Sequence, residues 1–344
     1  MVPALEIREK FDRLDVSSYS TSVAIVDKNI VSLYPGFVKE NFHDVITVET
    51  GEEQKKIDNV VPLLKQLSTK NLDRHSCLIA LGGGVVGDIT GFMAAIYMRG
   101  ISFIQVPTTY MAMCDPIIGK VAISNERKNE FGAFSSPERI IVYEPFLQSL
   151  TAKHIYNGLA EVLKHYYVTR DDQVKRIIHT ILTTDGPERL HALIDGVRRS
   201  YSIKKHFVES DPYDLLGEHK ALSFGHTFAN AYENIFTKQI SHGEAVMNGM
   251  DCALRLSHAL GLLPEHNYTE YMGLLKDVQA YGARHEISSV IVTEDLIPRM
   301  IESFRTDKIS ENGMMRFVLL SPNGHCIRTL EEGTVTKILL SQSA

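Results

Sequence analysis

The stretch Leu81-Gly-Gly-Gly-Val-Val-Gly-Asp88 constrains the fold of this 344-residue chain more than any other. It follows the apolar run Cys77-Leu-Ile-Ala80 and leads into Ile-Thr-Gly-Phe-Met-Ala-Ala-Ile-Tyr97, so a strand-like segment turns abruptly into a helix-like one. Glycine lets another group approach the backbone, and the start of a helix offers free N–H groups to an anion. Taken alone, the stretch serves a bound phosphate or a tight turn equally well, because GGGxxGD is not the GxGxxG fingerprint.

Its neighbours extend the pattern. Ser22–Val26, Leu78–Leu81, Ile101–Val106 and Arg139–Tyr143 read as buried strands, and Lys55–Leu67 and Asp88–Tyr97 read as helices. Strands alternating with helices predict an open, mostly parallel sheet with helices on both faces, a Rossmann-like α/β domain. From about Leu150 the periodicity becomes helical. Leu159, Val162, Leu163 and Tyr166 mark one helix, and Val246, Met250, Ala253, Ser257 and Leu260, closed by Gly261, mark another. A late strand is expected at Met315–Leu320. The expected organisation is therefore residues 1–149 as an α/β domain and 150–344 as a mainly helical one.

Three strand ends carry ligand chemistry. Asp27 and Asn29 follow the first strand, glycines follow the second, and Thr108 and Thr109 follow Pro107. A carboxylate that accepts from a ribose beside a glycine turn that admits a pyrophosphate predicts a dinucleotide at this edge. In the helical part, Glu161 and Lys164 share a helix face, while His226 and His242 adjoin glycines at apparent helix starts. Each has an ordinary reading, as a solvated ion pair or a capping histidine. Together, two histidines and a carboxylate make the donor set of a catalytic zinc, although their wide separation in sequence does not decide the matter. Arg99, Asp115, Lys120, Lys128, Asn129, Lys164 and Lys204 recur in turn-like settings. Any one of them would ordinarily be a solvated side chain; several around a cofactor would suit a phosphorylated substrate.

Composition excludes some partners. The net charge of −6 and the lack of a basic tail argue against nucleic acid. No apolar run approaches the ~18 residues of a membrane span, and the charged N-terminal stretch is unlike a signal peptide. Four widely spaced cysteines form no CxxC pair, which fits a reducing compartment, so a cytoplasmic location is expected.

At this point the chain resembles the 3-dehydroquinate synthase family, the sugar phosphate cyclases. The resemblance rests on GEEQK (51–55), GGGVVGDITGF (82–92), YMRGISFIQVPTT (97–109), KNEFGAF (128–134), GLAEVLKH (158–165), GHTF (225–228) and HGEAV (242–246). It implies an N-terminal NAD-binding domain, a C-terminal helical domain, an active site in the cleft between them, and homodimers. By position it implies that Glu161, His226 and His242 ligate zinc, or cobalt in its place. It further implies that Asp27, Asn29, Glu52, Lys55, Gly83, Gly84, Asp88, Thr108 and Thr109 contact NAD. Arg99, Asp115, Lys120, Asn129, Lys164 and Lys204 fall at its substrate-binding and catalytic positions, with Lys120 matched only across a one-residue gap.

Four positions depart from 3-dehydroquinate synthase proper. His219 stands for an arginine, Ser223 for an asparagine, Asn230 for the second histidine of GHTxGH, and Asp307-Lys308-Ile309 for Asp-Lys-Lys. The expectation is a cyclase acting on a non-shikimate substrate such as a heptulose phosphate. The alternatives are 3-dehydroquinate synthase itself, a metal-dependent polyol dehydrogenase, and a non-catalytic paralogue kept as a scaffold.

Overall fold

The computed structural model describes residues 2–237, 239–287, 293–307, 309–310, 312 and 314–340. The chain divides into two compact units, Met1–Leu150 with Lys204–Tyr213, and Thr151–Ile203 with Asp214–Ala344. The division is thus not a single cut. Residues 204–213 belong with the first unit because Lys204 donates to the Pro116 carbonyl at 2.6 Å and Tyr213 packs edge-on against Phe134.

The first unit holds β1 (Ala4–Arg8), β2 (Ser22–Asp27), β3 (Val45–Val48), β4 (Cys77–Gly82), β5 (Ser102–Pro107), β6 (Lys120–Ile123), β7 (Phe131–Phe134) and β8 (Arg139–Tyr143). Six of these form one sheet in the order β1-β8-β5-β4-β2-β3, with every pairing parallel. β6 and β7 form a separate antiparallel hairpin. All of β4 is buried, as a central strand covered on both faces requires. On one face Leu78 and Ala80 pack with Val23, Ile25 and Phe103 against Val86, Ile89 and Met93 of the helix Gly84–Ile96 and Val60 and Leu63 of the helix Ile57–Leu67.

Strand order places a crevice at one edge of the sheet. From β2 the chain goes to β3 on one side, and from β4 to β5 on the other. The C-terminal ends of β2 and β4 therefore flank a topological switch point, where an open α/β sheet leaves a crevice. Asp27 ends β2, Gly82 ends β4 and Pro107 ends β5. The helix after β4 starts at Gly84, earlier than the expected Asp88, while Glu52–Lys55 is a separate 3-10 turn ahead of the helix at Ile57.

The second unit is mainly helical. Its chief helices for the site are Ala152–Thr169, His226–Ile235 and His242–Ala259. The expected late strand is β9 (Arg316–Ser321), paired antiparallel with β10 (Gly324–Thr329). Phe317 of β9 stacks on Phe228 at 5.0 Å, which ties this hairpin to the helix bearing His226.

Candidate active-site elements

At the crevice, Asp27 caps the helix Lys28–Leu33, accepting from the Asn29 N–H at 2.8 Å. Burial raises its pKa above the usual carboxylate value, and that hydrogen bond opposes the rise. The Thr108 N–H donates to the Gly82 carbonyl at 3.0 Å, and Thr109 caps the helix Tyr110–Cys114. A β-carbon on Gly83 would lie 3.3 Å from the Thr109 methyl, so these strand ends are in contact. The helix at Gly84 has neither a side-chain cap nor an acidic residue in its first turn, and a β-carbon on Gly84 would meet no protein atom within 4 Å. Free helix N–H groups beside open space fit a pyrophosphate.

Asp88 lies deeper in the same helix. Its carboxylate pairs with Lys55 at 2.6 Å and accepts from the Ala122 N–H at 3.0 Å, while Glu52 stands 3.8 Å from Lys55. The Ser124 N–H donates to the Lys55 carbonyl, so the β6–β7 hairpin is fastened to this ion cluster. Lys120 opens β6, and Asn129 sits in the connecting loop in the left-handed conformation, φ 56°, with its N–H donated to Ser124 Oγ. Lys204 pairs with Asp115 at 2.6 Å. Arg99, exposed, follows Met98; both have positive φ, 70° and 48°, and consecutive residues in that region store backbone strain.

In the second unit, Glu161 and Lys164 are only 1% and 2% exposed and are paired. The solvated-pair reading is therefore corrected: the helix Ala152–Thr169 is internal, and a carboxylate–ammonium pair so deeply desolvated is costly unless further partners complete it. Close helix contacts bring those partners in. A β-carbon on Gly243 would lie 2.4 Å from the Asn157 Cα, and one on Gly249 2.2 Å from the Gly225 carbonyl oxygen. Three helices thus touch backbone to backbone. His226 is the first residue of its helix after Gly225, and His242 the first of its own, which opens with a Ser241/Glu244 capping box.

Both histidines turn Nε2 towards Glu161 Oε1, each at 3.6 Å, and all three donor atoms lie within 4.8 Å of one another. These distances are long for hydrogen bonds. They match a shared ion, since bonds of about 2.0–2.2 Å in a tetrahedral site put neighbouring ligand atoms roughly 3.3–3.6 Å apart. The far nitrogens are also engaged: His226 Nδ1 lies 3.2 Å from the Phe224 carbonyl oxygen, and His242 Nδ1 lies 3.2 Å from Glu233 Oε1. Burial, with Lys164 adding to it, lowers the His226 pKa to about 3, so the ring is neutral. Burial would raise Glu161, but Lys164 and the histidines outweigh it and hold the carboxyl well below its usual range. A neutral imidazole and an ionised carboxylate are the forms that bind a cation.

Sequence reading missed Glu233 and Asn157. Glu233 lies two helical turns after His226 on the same helix, a spacing that shares a face.

Models of the 3-dehydroquinate synthase N-terminal and C-terminal domains match residues 45–157 and 158–308. The chain belongs to the 3-dehydroquinate synthase family. A 3-dehydroquinate synthase of Endomicrobium trichonymphae is 34% identical over 325 residues, which cover 92% of this chain and 87% of that protein. Two solved cyclase structures share the fold. One is 2-epi-5-epi-valiolone synthase of Streptomyces hygroscopicus subsp. jinggangensis with NAD+ and Zn2+ bound (TM-score 0.82, 22% identity, covering 100% of this chain and 97% of that one). The other is 2-deoxy-scyllo-inosose synthase with carbaglucose-6-phosphate, NAD+ and Co2+ (TM-score 0.80, 19% identity, covering 99% of each chain).

His219, Ser223, Asn230 and Ile309, the positions read from the sequence as departures, all lie among the described residues. His219 and Ser223 lie on the short helical turn Glu218–Ser223. Asn230 donates to Asp307 Oδ2 at 2.8 Å, the Ile309 N–H donates to Asp307 Oδ1 at 3.0 Å, and the Ile309 side chain is buried. Lys308 lies outside the described residues.

Proposed function

We propose that this family member is a sugar phosphate cyclase, a carbon–oxygen lyase that makes a carbocycle from a carboxylate-free sugar phosphate, a heptulose phosphate by preference. The observation that carries the metal-dependent reading is the convergence of His226 Nε2 and His242 Nε2 on Glu161 Oε1, each at 3.6 Å. Glu161, His226 and His242 would hold a divalent ion, zinc or cobalt, which supplies Lewis-acid polarisation of a substrate oxygen. Asp27, Asn29, Gly83, Gly84, Thr108 and Thr109 would hold NAD, with Glu52, Lys55 and Asp88 supporting that edge. NAD held there would supply reversible hydride chemistry with no net redox change over a turnover.

The chain's own residues do the rest. Arg99, Lys120 and Asn129 would bind the phosphate dianion through charge-assisted and amide hydrogen bonds. Lys164 stands beside Glu161, where its fixed charge balances the ligand carboxylate and stabilises negative charge developing on a neighbouring oxygen. Asp115 orients Lys204 through their 2.6 Å pair.

The choice of substrate rests on charge. A buried carboxylate needs fixed positive donors, best an arginine fork. Here His219 replaces arginine, and the amide of Asn230 and the N–H of Ile309 are both turned to Asp307. The same positions argue against 3-dehydroquinate synthase activity as the principal reaction. We place the enzyme as a homodimer in the cytoplasm on the resemblance and on its four cysteines, none of which forms a disulfide. Among the described residues no helix is long and apolar enough to cross a membrane.

The test incubates the protein with NAD+, Zn2+ and a panel of sugar phosphates, following inorganic phosphate and NADH absorbance. Phosphate release without NADH marks a cyclase, and net NADH marks a polyol dehydrogenase. A far higher kcat/KM for the shikimate-pathway keto-acid phosphate than for heptulose phosphates would instead establish 3-dehydroquinate synthase.

A further inference from the structure

We propose that Glu233 is a positioning residue of the metal centre, holding His242 by Nδ1 so that Nε2 is presented as the stronger of the two imidazole donors. The inference rests on the reading of Glu161, His226 and His242 as metal ligands.

Geometry sets it up. Glu233 Oε1 lies 3.2 Å from His242 Nδ1, while Nε2 of the same ring lies 3.6 Å from Glu161 Oε1. The ring is thus addressed at both nitrogens by carboxylates with different tasks. Both side chains are largely withdrawn from solvent, 15% exposed for Glu233 and 29% for His242, so the contact is only partly screened. With the proton on Nδ1 donated to Glu233, Nε2 keeps its lone pair for the ion; the reverse tautomer would turn an N–H towards Glu161 and forfeit a ligand.

The second histidine provides an internal contrast. His226 Nδ1 faces the Phe224 carbonyl, a neutral acceptor, at the same 3.2 Å. A carboxylate is the stronger acceptor, and a stronger acceptor on Nδ1–H raises electron density at Nε2. The two rings are therefore unequal donors although both begin helices. Glu233 and His226 also share one helix, so the segment His226–Ile235 supplies one ligand directly and orients the other, coupling the two sites mechanically.

The experiment compares full-length wild type, Glu233→Gln, Glu233→Leu and His242→Ala. Zn2+ affinity is measured by competition with a chromogenic chelator, the visible absorption is recorded after Co2+ loading, and the melting temperature is taken without metal. Glutamine keeps the shape and an acceptor oxygen but removes the charge. Its Zn2+ Kd should rise about tenfold, within the 10- to 100-fold span usual for such outer partners. Its Co2+ bands should shift, and its metal-free melting temperature should stay near wild type. The leucine variant should lose more affinity than the glutamine variant. A merely structural role would change the melting temperature and leave the Co2+ bands of the folded protein alone. Unchanged Zn2+ affinity and Co2+ spectrum in both Glu233 variants, with His242→Ala losing the metal, would overturn the role of Glu233 alone. Failure of wild type itself to bind either ion would overturn the metal-centre reading, and this inference with it.

Discussion

Gly84→Val tests whether this glycine serves a ligand, as distinct from glycines needed by the fold. A β-carbon on Gly82 would lie 2.7 Å from the Val86 side chain, so a substitution there overpacks the junction of strand and helix and should cost about 1–3 kcal/mol. The corresponding atom on Gly84 meets nothing within 4 Å, and Gly84 is the first residue of its helix, with φ outside the left-handed region. Replacing it removes a poor helix former. The change in propensity is a few tenths of a kcal/mol in the stabilising direction, so the NAD-free melting temperature should hold or rise slightly. If a pyrophosphate rests on the N–H groups here, the valine methyls occupy its approach. Affinity for NAD should then fall at least tenfold, or about 1.4 kcal/mol. Calorimetric titration of NAD into both proteins, beside thermal melts without cofactor, reads the two effects separately. A well-folded Gly84→Val protein that binds NAD as tightly as wild type would refute the assignment of this turn to the cofactor.

The ligand set predicts that His242→Ala loses both stoichiometric zinc and activity, as metal analysis after dialysis would show; retained zinc would remove His242 from the set. Gly243→Ala drives a β-carbon against the Asn157 backbone at 2.4 Å, so it should lower the metal-free melting temperature and weaken zinc together, whereas loss of neither would mean the helices part without cost. The depressed His226 pKa makes the metal-free protein acid-sensitive: the unfolded ring, with a pKa near 6.5, binds a proton that the folded ring, at about 3, refuses. Stability should therefore be full above about pH 6.5 and fall as pH drops towards 3, by about 1.4 kcal/mol one pH unit below 6.5, and denaturant midpoints of His226→Gln should lack that slope.

The fold was legible where burial is extreme and obscure where it is partial. β2, β4, β5 and β8 lie inside the sheet and announce themselves as apolar runs. β1 and β3 are its two edges; Ala-Leu-Glu-Ile-Arg is half-exposed and charged, and Val-Ile-Thr-Val is very short, so neither gives a clear period. In the site, residue types could be read but environments could not. Glu161 and Lys164 three apart look the same on a solvated helix as on an internal one, and only the folded chain, with 1% and 2% exposure and Gly243 set against Asn157 of the helix that carries them, reveals which it is. Glu233 was hidden for a related reason: nothing in Ala-Asn-Ala-Tyr-Glu marks its carboxylate as facing a histidine that begins a different helix.

Two of the positions read from the sequence as departures, 230 and 309, are not independent. Asn230 lies on the helix that begins with His226 and Ile309 follows the helix Ile297–Thr306, yet both close on Asp307, one through its amide and one through its backbone N–H. Asp307 thereby has both carboxylate oxygens occupied, and the buried Ile309 side chain contributes apolar surface where a lysine would contribute charge. Restoring histidine at 230 alone would strip Asp307 of an amide donor without supplying a cation for a substrate carboxylate. A lysine at 309 alone would bury an ammonium at a position where the isoleucine is 6% exposed. Residues that share a partner in this way have coupled energies, so change at one position alters the cost of change at the other. The pair is one coupled element around Asp307, and the crevice glycines and the donor set of Glu161, His226 and His242 are assembled from other residues.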